Sequence, residues 1–333
     1  MNSTLKALSN TNDLTEYFLN QYKYDKNDLT KIMANEFYKL LLSLWDKDKK
    51  EGSFSPNDFK ETLSEQNDLF KGINANDSKD LINYLLEEFH KELNNPDTTP
   101  KDQNIIENQL NEMYTFNLFS QDFQRNYKSI ISDLFYGVLE TKNQCKGCNY
   151  IKFNFQVYSF LEFPLEQVNN FCFQNGRRMA LVNNDGTNPD INLYECFDYY
   201  QRIENMTGDN QMYCNICKDN KDALYSTILY SAPKYLIINL NRGRNAVYQC
   251  KVNFPETLKI FNYVSYKEGN TEFSLYAVIC HLGPSSMSGH FIAYCRNRMD
   301  NKWYTYNDAF VTLCNEPQPY YNGMPYILFY KAK

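Results

Sequence analysis

Two groups of residues in this chain have the types and spacing to do chemistry. The first holds two of its three histidines: His281 and His290 flank a Ser-Gly-rich loop, and a Trp-Tyr-x-Tyr-Asn-Asp segment, Trp303–Asp308, follows shortly after. An imidazole beside an amide or carboxylate is the base-and-orienter half of a nucleophilic triad, so His290, Asn307 and Asp308 are the candidates for proton transfer. Taken alone, a histidine beside an asparagine is more often structural than catalytic. The second group is a pair of knuckles, Cys145-Lys146-Gly147-Cys148 and Cys214-Asn215-Ile216-Cys217. Each places two thiolates on one tight turn, and two such turns complete a tetrahedral zinc site. A redox role for either Cys-x-x-Cys would call for a thioredoxin-like βαβ context, which neither pair has. The other cysteines, Cys172, Cys196, Cys250, Cys280, Cys295 and Cys314, lie mostly in apolar runs, where a thiol behaves as a small hydrophobe.

The elements that must position these groups read as strands. Phe273–His281 alternates and is rich in β-branched and aromatic residues, Pro284–Gly289 is a loop, Phe291–Cys295 is a second strand with His290 at its mouth, and Lys302–Tyr306 is a third. If the second and third strands pair as an antiparallel hairpin through Arg296–Asn301, alternation brings Asn307 beside His290. The knuckles are far apart in sequence, so the strands between them must return the chain to its start.

The remainder divides by composition. Up to about residue 135 the periodicity is helical: Met1–Ser9, about Asp13–Tyr22, Thr30–Asp46, a helix opened by Ser55-Pro56-Asn57-Asp58 with the serine as cap, Asp77–Leu93, and roughly Ser120–Phe135. Asn94–Gln103 reads as a loop. From about Gly137 onward short Tyr-, Phe-, Val- and Ile-rich runs alternate with turns, among them the strands at Phe153–Val157, Leu224–Tyr230, Tyr235–Leu240 and Tyr326–Lys331. Helices followed by sheet argue for an α+β fold.

Of the 333 residues 43% are hydrophobic and 16% aromatic, ample for a sizeable core, and the net charge is −6. No long basic run offers itself to a nucleic-acid backbone, and a partner with a basic patch fits the charge better. No apolar run approaches a membrane span, and residues 1–20 are too polar for a signal peptide. The cysteines are therefore expected as reduced thiols or metal ligands, and the protein as cytoplasmic or nuclear.

The stretch Phe273–Val311 resembles the histidine box of the ubiquitin-specific proteases, a family of deubiquitinating cysteine proteases. The matches are Leu275, Ala277, Val278, His281 and Gly283, then Gly289, His290, Phe291, Ala293 and Tyr294, then Trp303, Tyr304, Tyr306, Asn307, Asp308 and Val311. Met1-Asn2-Ser3, Leu5 and Leu8 resemble the residues after the family's cysteine in C-[YF]-M-N-S-x-L-Q-x-L, with Lys6 in place of the glutamine. Asp77, Leu85, Leu86, His90, Leu93 and Asn94 match a second box, in which Asn76, Lys79 and Asp80 stand in place of two glutamines and a glutamate.

The resemblance implies one catalytic domain over residues 1–333, papain-like, with a helical thumb (1–135) and a β palm and fingers (136–333, fingers about 140–235). It implies cleavage after the C-terminal glycine of ubiquitin, with His290 as base, Asn307 orienting it and Asp308 a polar neighbour. Asp77 and Asp80 are then expected to hold an arginine of ubiquitin's tail, and Gly289 and Tyr294 to lie beside that tail, with the loop Leu282–Ser288 shaping the channel. Both acids have an alternative role, stabilising a helix N-terminus. Cys145, Cys148, Cys214 and Cys217 are expected to hold a structural Zn2+ at the tip of the fingers. Ubiquitin or ubiquitinated proteins are the expected partners, and the domain is expected to be a monomer.

In the family the nucleophile stands two residues ahead of the position that Met1 occupies here, where a helix N-terminus favours the thiolate. The expectation is an enzyme domain cut just after its cysteine, so that this chain is inactive. The alternatives are a ubiquitin-binding pseudoenzyme and, from another class, a zinc-ribbon scaffold unrelated to ubiquitin.

Overall fold

The structure is a computed structural model that describes residues 1–45, 54–72, 76–96, 112–244, 247–285, 288–315 and 324–333. Its helices up to residue 93 follow the apolar periodicity. Asn2–Ser9 buries Leu5, Ala7 and Leu8; Asn12–Asn20 buries Leu14 and Phe18; Ile32–Trp45 buries Met33, Phe37, Leu40 and Leu41; Ser78–Glu92 buries Leu81, Leu85, Leu86 and Phe89. Phe18, Phe37 and Phe89 meet ring to ring, at centroid distances of 5.1, 4.9 and 5.7 Å, and so tie three of these helices together.

Two helix boundaries differ from the sequence reading. Asn57–Gln66 has Pro56, not Ser55, at the N-cap position, and no side chain caps it. The helix expected over Ser120–Phe135 is two, Glu112–Asn126 and Ile130–Phe135. The break comes at Ser129, whose hydroxyl accepts from the N–H groups of Ile131 and Ser132 while the Ser132 hydroxyl accepts from the Ser129 N–H. That reciprocal cap satisfies the free donors of a new helix start, which outweighs continuing the old one. The expected loop over Asn94–Gln103 lies outside the described residues beyond Pro96, as does Asp46 at the end of the third helix.

The main sheet runs in the order Phe310–Leu313, Trp303–Asn307, Ser288–Arg296, Glu272–Ser285, Met324–Ala332, Tyr235–Asn241, Leu161–Pro164, with Thr257–Lys259 paired to Glu272–Ser285 at one end. All these pairs are antiparallel except the last on the path, between Tyr235–Asn241 and Leu161–Pro164. One face, carrying Ala277, Ile279, Ala293, Cys295 and Phe329, packs on the helices. The other, carrying Val278, Cys280, Ile292, Tyr294 and Leu328, packs on a second core with helices Leu165–Gln174 and Leu193–Tyr200. Those two helices interrupt a region the sequence reading described only by strands. Leu193, Cys196 and Phe197 supply the helical spacing of buried residues, and Asn192 and Glu195 form a capping box at the start.

A second, four-stranded sheet has the order Ile151–Tyr158, Gly137–Cys145, Ala223–Ser231, Ile203–Met206. It carries the first knuckle at the end of Gly137–Cys145. The second knuckle ends Met212–Cys214, which pairs with Asp219–Lys221.

Candidate active site

His290 is not at the mouth of its strand but inside it. Glu272–Ser285 takes in the first two residues of the expected loop Pro284–Gly289, Ser288–Arg296 begins two residues before the histidine, and His290 pairs with Leu282. Of the loop expected over Leu282–Ser288, residues 286–287 lie outside the described residues. The next hairpin sets Ala293 opposite Tyr306, which puts Asn307 level with Ile292, on the same face as His290. The two side chains are thus diagonal neighbours, and the Asn307 Oδ1 lies 2.6 Å from the His290 Nε2. With Nε2 engaged, Nδ1 is the ring nitrogen available to exchange a proton.

Asp308 opens a two-residue turn into Phe310–Leu313 and holds φ at 49°, a left-handed conformation that aspartate tolerates and a primed hairpin turn needs. Its carboxylate lies 3.7 Å from the His290 Nε2 and accepts a 2.7 Å hydrogen bond from the Asn2 amide. The first helix therefore begins at Asp308, beside the His–Asn pair. Further along this helix the Lys6 ammonium sits over the Tyr306 ring, and just past its end the side-chain Oδ1 of Asn10 accepts from the Arg298 N–H. Sequence reasoning had no signal for the Asn2–Asp308 contact, which spans nearly the whole chain.

Gly289 has to be glycine because of a close approach. A Cβ there would lie 2.0 Å from the His281 Nε2 and 2.8 Å from the Leu282 carbonyl oxygen. His281 is buried against the Phe291 ring, and burial pushes its imidazole down from the usual range, with Asp77 opposing and Arg242 reinforcing the shift.

His281 is also a wall shared by two cavities. One, of about 450 Å3, is lined by Asp77, Phe291, Tyr326 and Arg242. The other, of about 1180 Å3, is lined by Asn307, Tyr294, Ile292 and Leu282. Asp77 and Tyr294, expected beside one tail, thus line different cavities, and Asp80 is not among the described residues lining either. Asp77 caps helix Ser78–Glu92 through the Lys79 N–H at 2.8 Å and accepts from the Tyr326 hydroxyl at 2.5 Å, so it does serve the helix N-terminus. Burial, and then the neighbouring Asp77, push the Asp80 carboxyl up. The sequence reading gave His281 no task and did not single out Arg242. Arg242 is buried and donates to the carbonyls of Cys250 and Pro325 at 2.9 and 3.1 Å, binding two walls of the cavities together.

Cys280 and Cys295 are buried, and burial pushes both thiols well up, that of Cys280 to about 12. Neither has the electropositive, accessible setting of a nucleophile. Cys172, Cys196 and Cys250 are also buried, and Cys314 is half-buried.

The knuckle cysteines behave differently. The sulfurs of Cys145, Cys148, Cys214 and Cys217 all lie within 4.8 Å of one another, with Cys145–Cys217 at 3.9 Å and Cys148–Cys214 at 3.6 Å. A tetrahedral zinc with 2.3 Å bonds to sulfur sets its ligands about 3.8 Å apart, so the four fit that ion. The knuckles are near copies. Asn149 and Lys218, each just after the second cysteine, hold φ at 60° and 56°, and each donates its N–H to the carbonyl of the first cysteine at 2.8 Å. The Gly147 N–H donates to the Cys145 sulfur and the Cys217 N–H to the Cys214 sulfur, and the latter bond is the largest cause that brings the Cys214 thiol down to about 6.

The family model described as ubiquitin carboxyl-terminal hydrolase matches residues 1–330, and the chain belongs to that family. It is 27% identical over 341 residues to the rat ubiquitin carboxyl-terminal hydrolase 2, covering 99% of this chain and 52% of the relative. It is 24% identical over 355 residues to the human ubiquitin carboxyl-terminal hydrolase 21, covering 99% and 59%. The chain thus spans about half the length of these curated relatives. Among solved structures, the SAGA DUB module of Ubp8, Sgf11, Sus1 and Sgf73 bound to monoubiquitin has a similar chain. The match has a TM-score of 0.70 at 18% identity and covers 100% of this chain and 66% of that one. The fold is accordingly the α+β, papain-like arrangement of helical thumb, β palm and β fingers, with a zinc-ribbon-like cysteine cluster. No helix among the described residues is long and apolar enough to cross a membrane.

Proposed function

We propose that this chain is the catalytic-domain framework of a thiol-dependent deubiquitinase. It binds ubiquitin, with the C-terminal tail in the cavity between Asp77 and His281, and it supplies the base of the reaction but not the nucleophile. The observation that carries this reading is the 2.6 Å contact of His290 with Asn307 at the N-terminal end of the first helix. In the reaction, a cysteine thiolate held at that helix end attacks the carbonyl of the tail's last glycine. His290 carries the proton between thiol and leaving amine, Asn307 fixes the imidazole, and water releases the acyl group. Asp308 is a polar neighbour that ties the helix to the pair.

Asp77 and Asp80 are read as the carboxylates that receive an arginine of the tail, and Gly289 as the residue that leaves room for its glycines. Tyr294, expected beside the tail, lines instead the larger cavity beyond His281. The helices over residues 1–135 act as thumb, and residues 136–333 as palm and fingers, the fingers over about 140–235. Cys145, Cys148, Cys214 and Cys217 hold Zn2+, which stabilises the finger tip and takes no part in the reaction. The domain is read as a monomer of the cytoplasm or nucleus, where thiolate ligands stay reduced.

None of the ten cysteines stands as a nucleophile beside His290, so these 333 residues by themselves bind ubiquitin and do not cleave it. A titration with ubiquitin and an assay with a fluorogenic ubiquitin substrate test both halves. Saturable binding without turnover is expected. Turnover lost on His290→Ala would overturn the inactivity, and a folded chain without affinity for ubiquitin would overturn the reading as a whole.

A further inference from the structure

The larger cavity is not needed by a tail lying between Asp77 and His281. It begins where the smaller one ends: His281, Gly283, Gln249 and Met324 line both. From there it runs over the other face of the sheet to Asn307, the partner of His290. Its floor is apolar, from Leu282, Ile292 and Pro325, and its sides are polar, from Thr305, Asn307 and the turn Asp185–Asn188. That turn is built firmly. Asp185 accepts from the Thr187 N–H at 3.0 Å and from its hydroxyl at 2.6 Å, and the Asn188 amide donates to the Gln249 carbonyl at 2.9 Å. Just beyond it, Ile191–Asn192 pairs with Val252–Asn253. The Thr187 hydroxyl keeps the exposed Asp185 carboxyl below its usual range, so Asp185 is the carboxylate of a lining that also holds Lys251.

A bond broken at His290 has two sides. If the tail lies on the Asp77 side of His281, the leaving amine and the chain that bears it lie on the other. We propose that the cavity between the Asp185–Asn188 turn and the face of Leu282, Ile292, Tyr294 and Thr305 binds the lysine-bearing segment of the protein from which ubiquitin is released. The apolar floor takes aliphatic stems, and Asp185 at the rim favours a basic segment. This inference rests on the function proposed above and adds to it a site for the second half of the substrate.

Because the chain is expected not to cleave, both halves are accessible at equilibrium. The probe is ubiquitin joined by an isopeptide bond to the lysine of a basic peptide, compared with free ubiquitin, with the conjugate checked by gel to remain intact. The conjugate is expected to bind about tenfold more tightly than free ubiquitin. Thr305→Trp, which fills the cavity, and Asp185→Asn, which removes the rim charge, are each expected to bring that ratio towards one with free-ubiquitin affinity unchanged. A ratio of one in the unaltered chain, or a ratio that survives both substitutions, overturns the inference while leaving ubiquitin binding intact. Should Thr305→Trp lose free-ubiquitin binding through misfolding, Asp185→Asn decides. An unaltered, folded chain that binds neither probe overturns the function reading and this inference with it.

Discussion

The cysteine cluster and the His–Asn pair are both built from residues distant in sequence, yet they are assembled in different ways. Each knuckle is shaped by its own few residues: a left-handed Asn149 or Lys218, one N–H donated back to the first cysteine carbonyl, and one N–H donated to a sulfur. Only the meeting of the two knuckles is long-range, and a metal ion would reward it with four bonds. The His–Asn pair has no such local unit. It depends on the register of two successive hairpins, on a turn at Asp308 and on a helix from the other end of the chain. A one-residue slip would send Asn307 to the opposite face, whereas a knuckle would survive it.

The widest test of this difference is catalytic. In a chain extended at its N-terminus to restore the family's cysteine, His290→Ala is expected to lower kcat by more than about 10^3 and Asn307→Ala by about 10^2 in a fluorogenic ubiquitin assay, with zinc content unchanged. An Asn307→Ala variant as active as its parent would show that the pair is structural. Next in size is the metal. Cys214→Ala, or exhaustive chelation, is expected to remove bound zinc and lower the melting temperature by about 10 °C, while the NMR signals of His290 stay in place. Loss of the His290 signals would mean that the two regions are coupled.

Gly289→Ala probes the register from within. The added Cβ must displace His281 or the backbone at Leu282, and overpacking of this kind costs about 1–3 kcal/mol. Ubiquitin affinity is expected to fall about tenfold or more, with the zinc site unaffected. The smallest expected effect is on pH dependence. His281 has its folded-state affinity for protons lowered by burial, so the unfolded chain binds the proton more readily. Stability from this group is complete above the unfolded value near 6.5 and is lost as the pH falls towards the lower folded value. The melting temperature is therefore expected to drop between pH 7 and pH 5.5, with a shallower slope in His281→Gln. An unchanged slope would assign the dependence to another group.

The helices to residue 93 were legible because their apolar spacing is long and regular, and the strands at Phe153, Leu224, Tyr235 and Tyr326 because they alternate or run apolar. The break at Ser129 was not, since a Ser-x-x-Ser cap competes with continuous helical periodicity on nearly equal terms. The two helices at Leu165 and Leu193 were lost among aromatic residues that suit strands as well. The same limit applied to the loop before His290, whose Ser285, Ser288 and Gly289 read as coil although the hairpin carries them as strand.

The sequence by itself determined which residues are available for chemistry: a histidine and an asparagine one hairpin apart, four cysteines in two knuckles, and a glycine ahead of the histidine. These follow from residue type and short spacing, which the chain carries locally. Only the tertiary structure decided that Asn307 meets His290 diagonally, that Asn2 closes on Asp308, and that His281 lies under Gly289 and divides the cleft into two cavities. Such contacts depend on strand register and on elements hundreds of residues apart, and no local pattern specifies them.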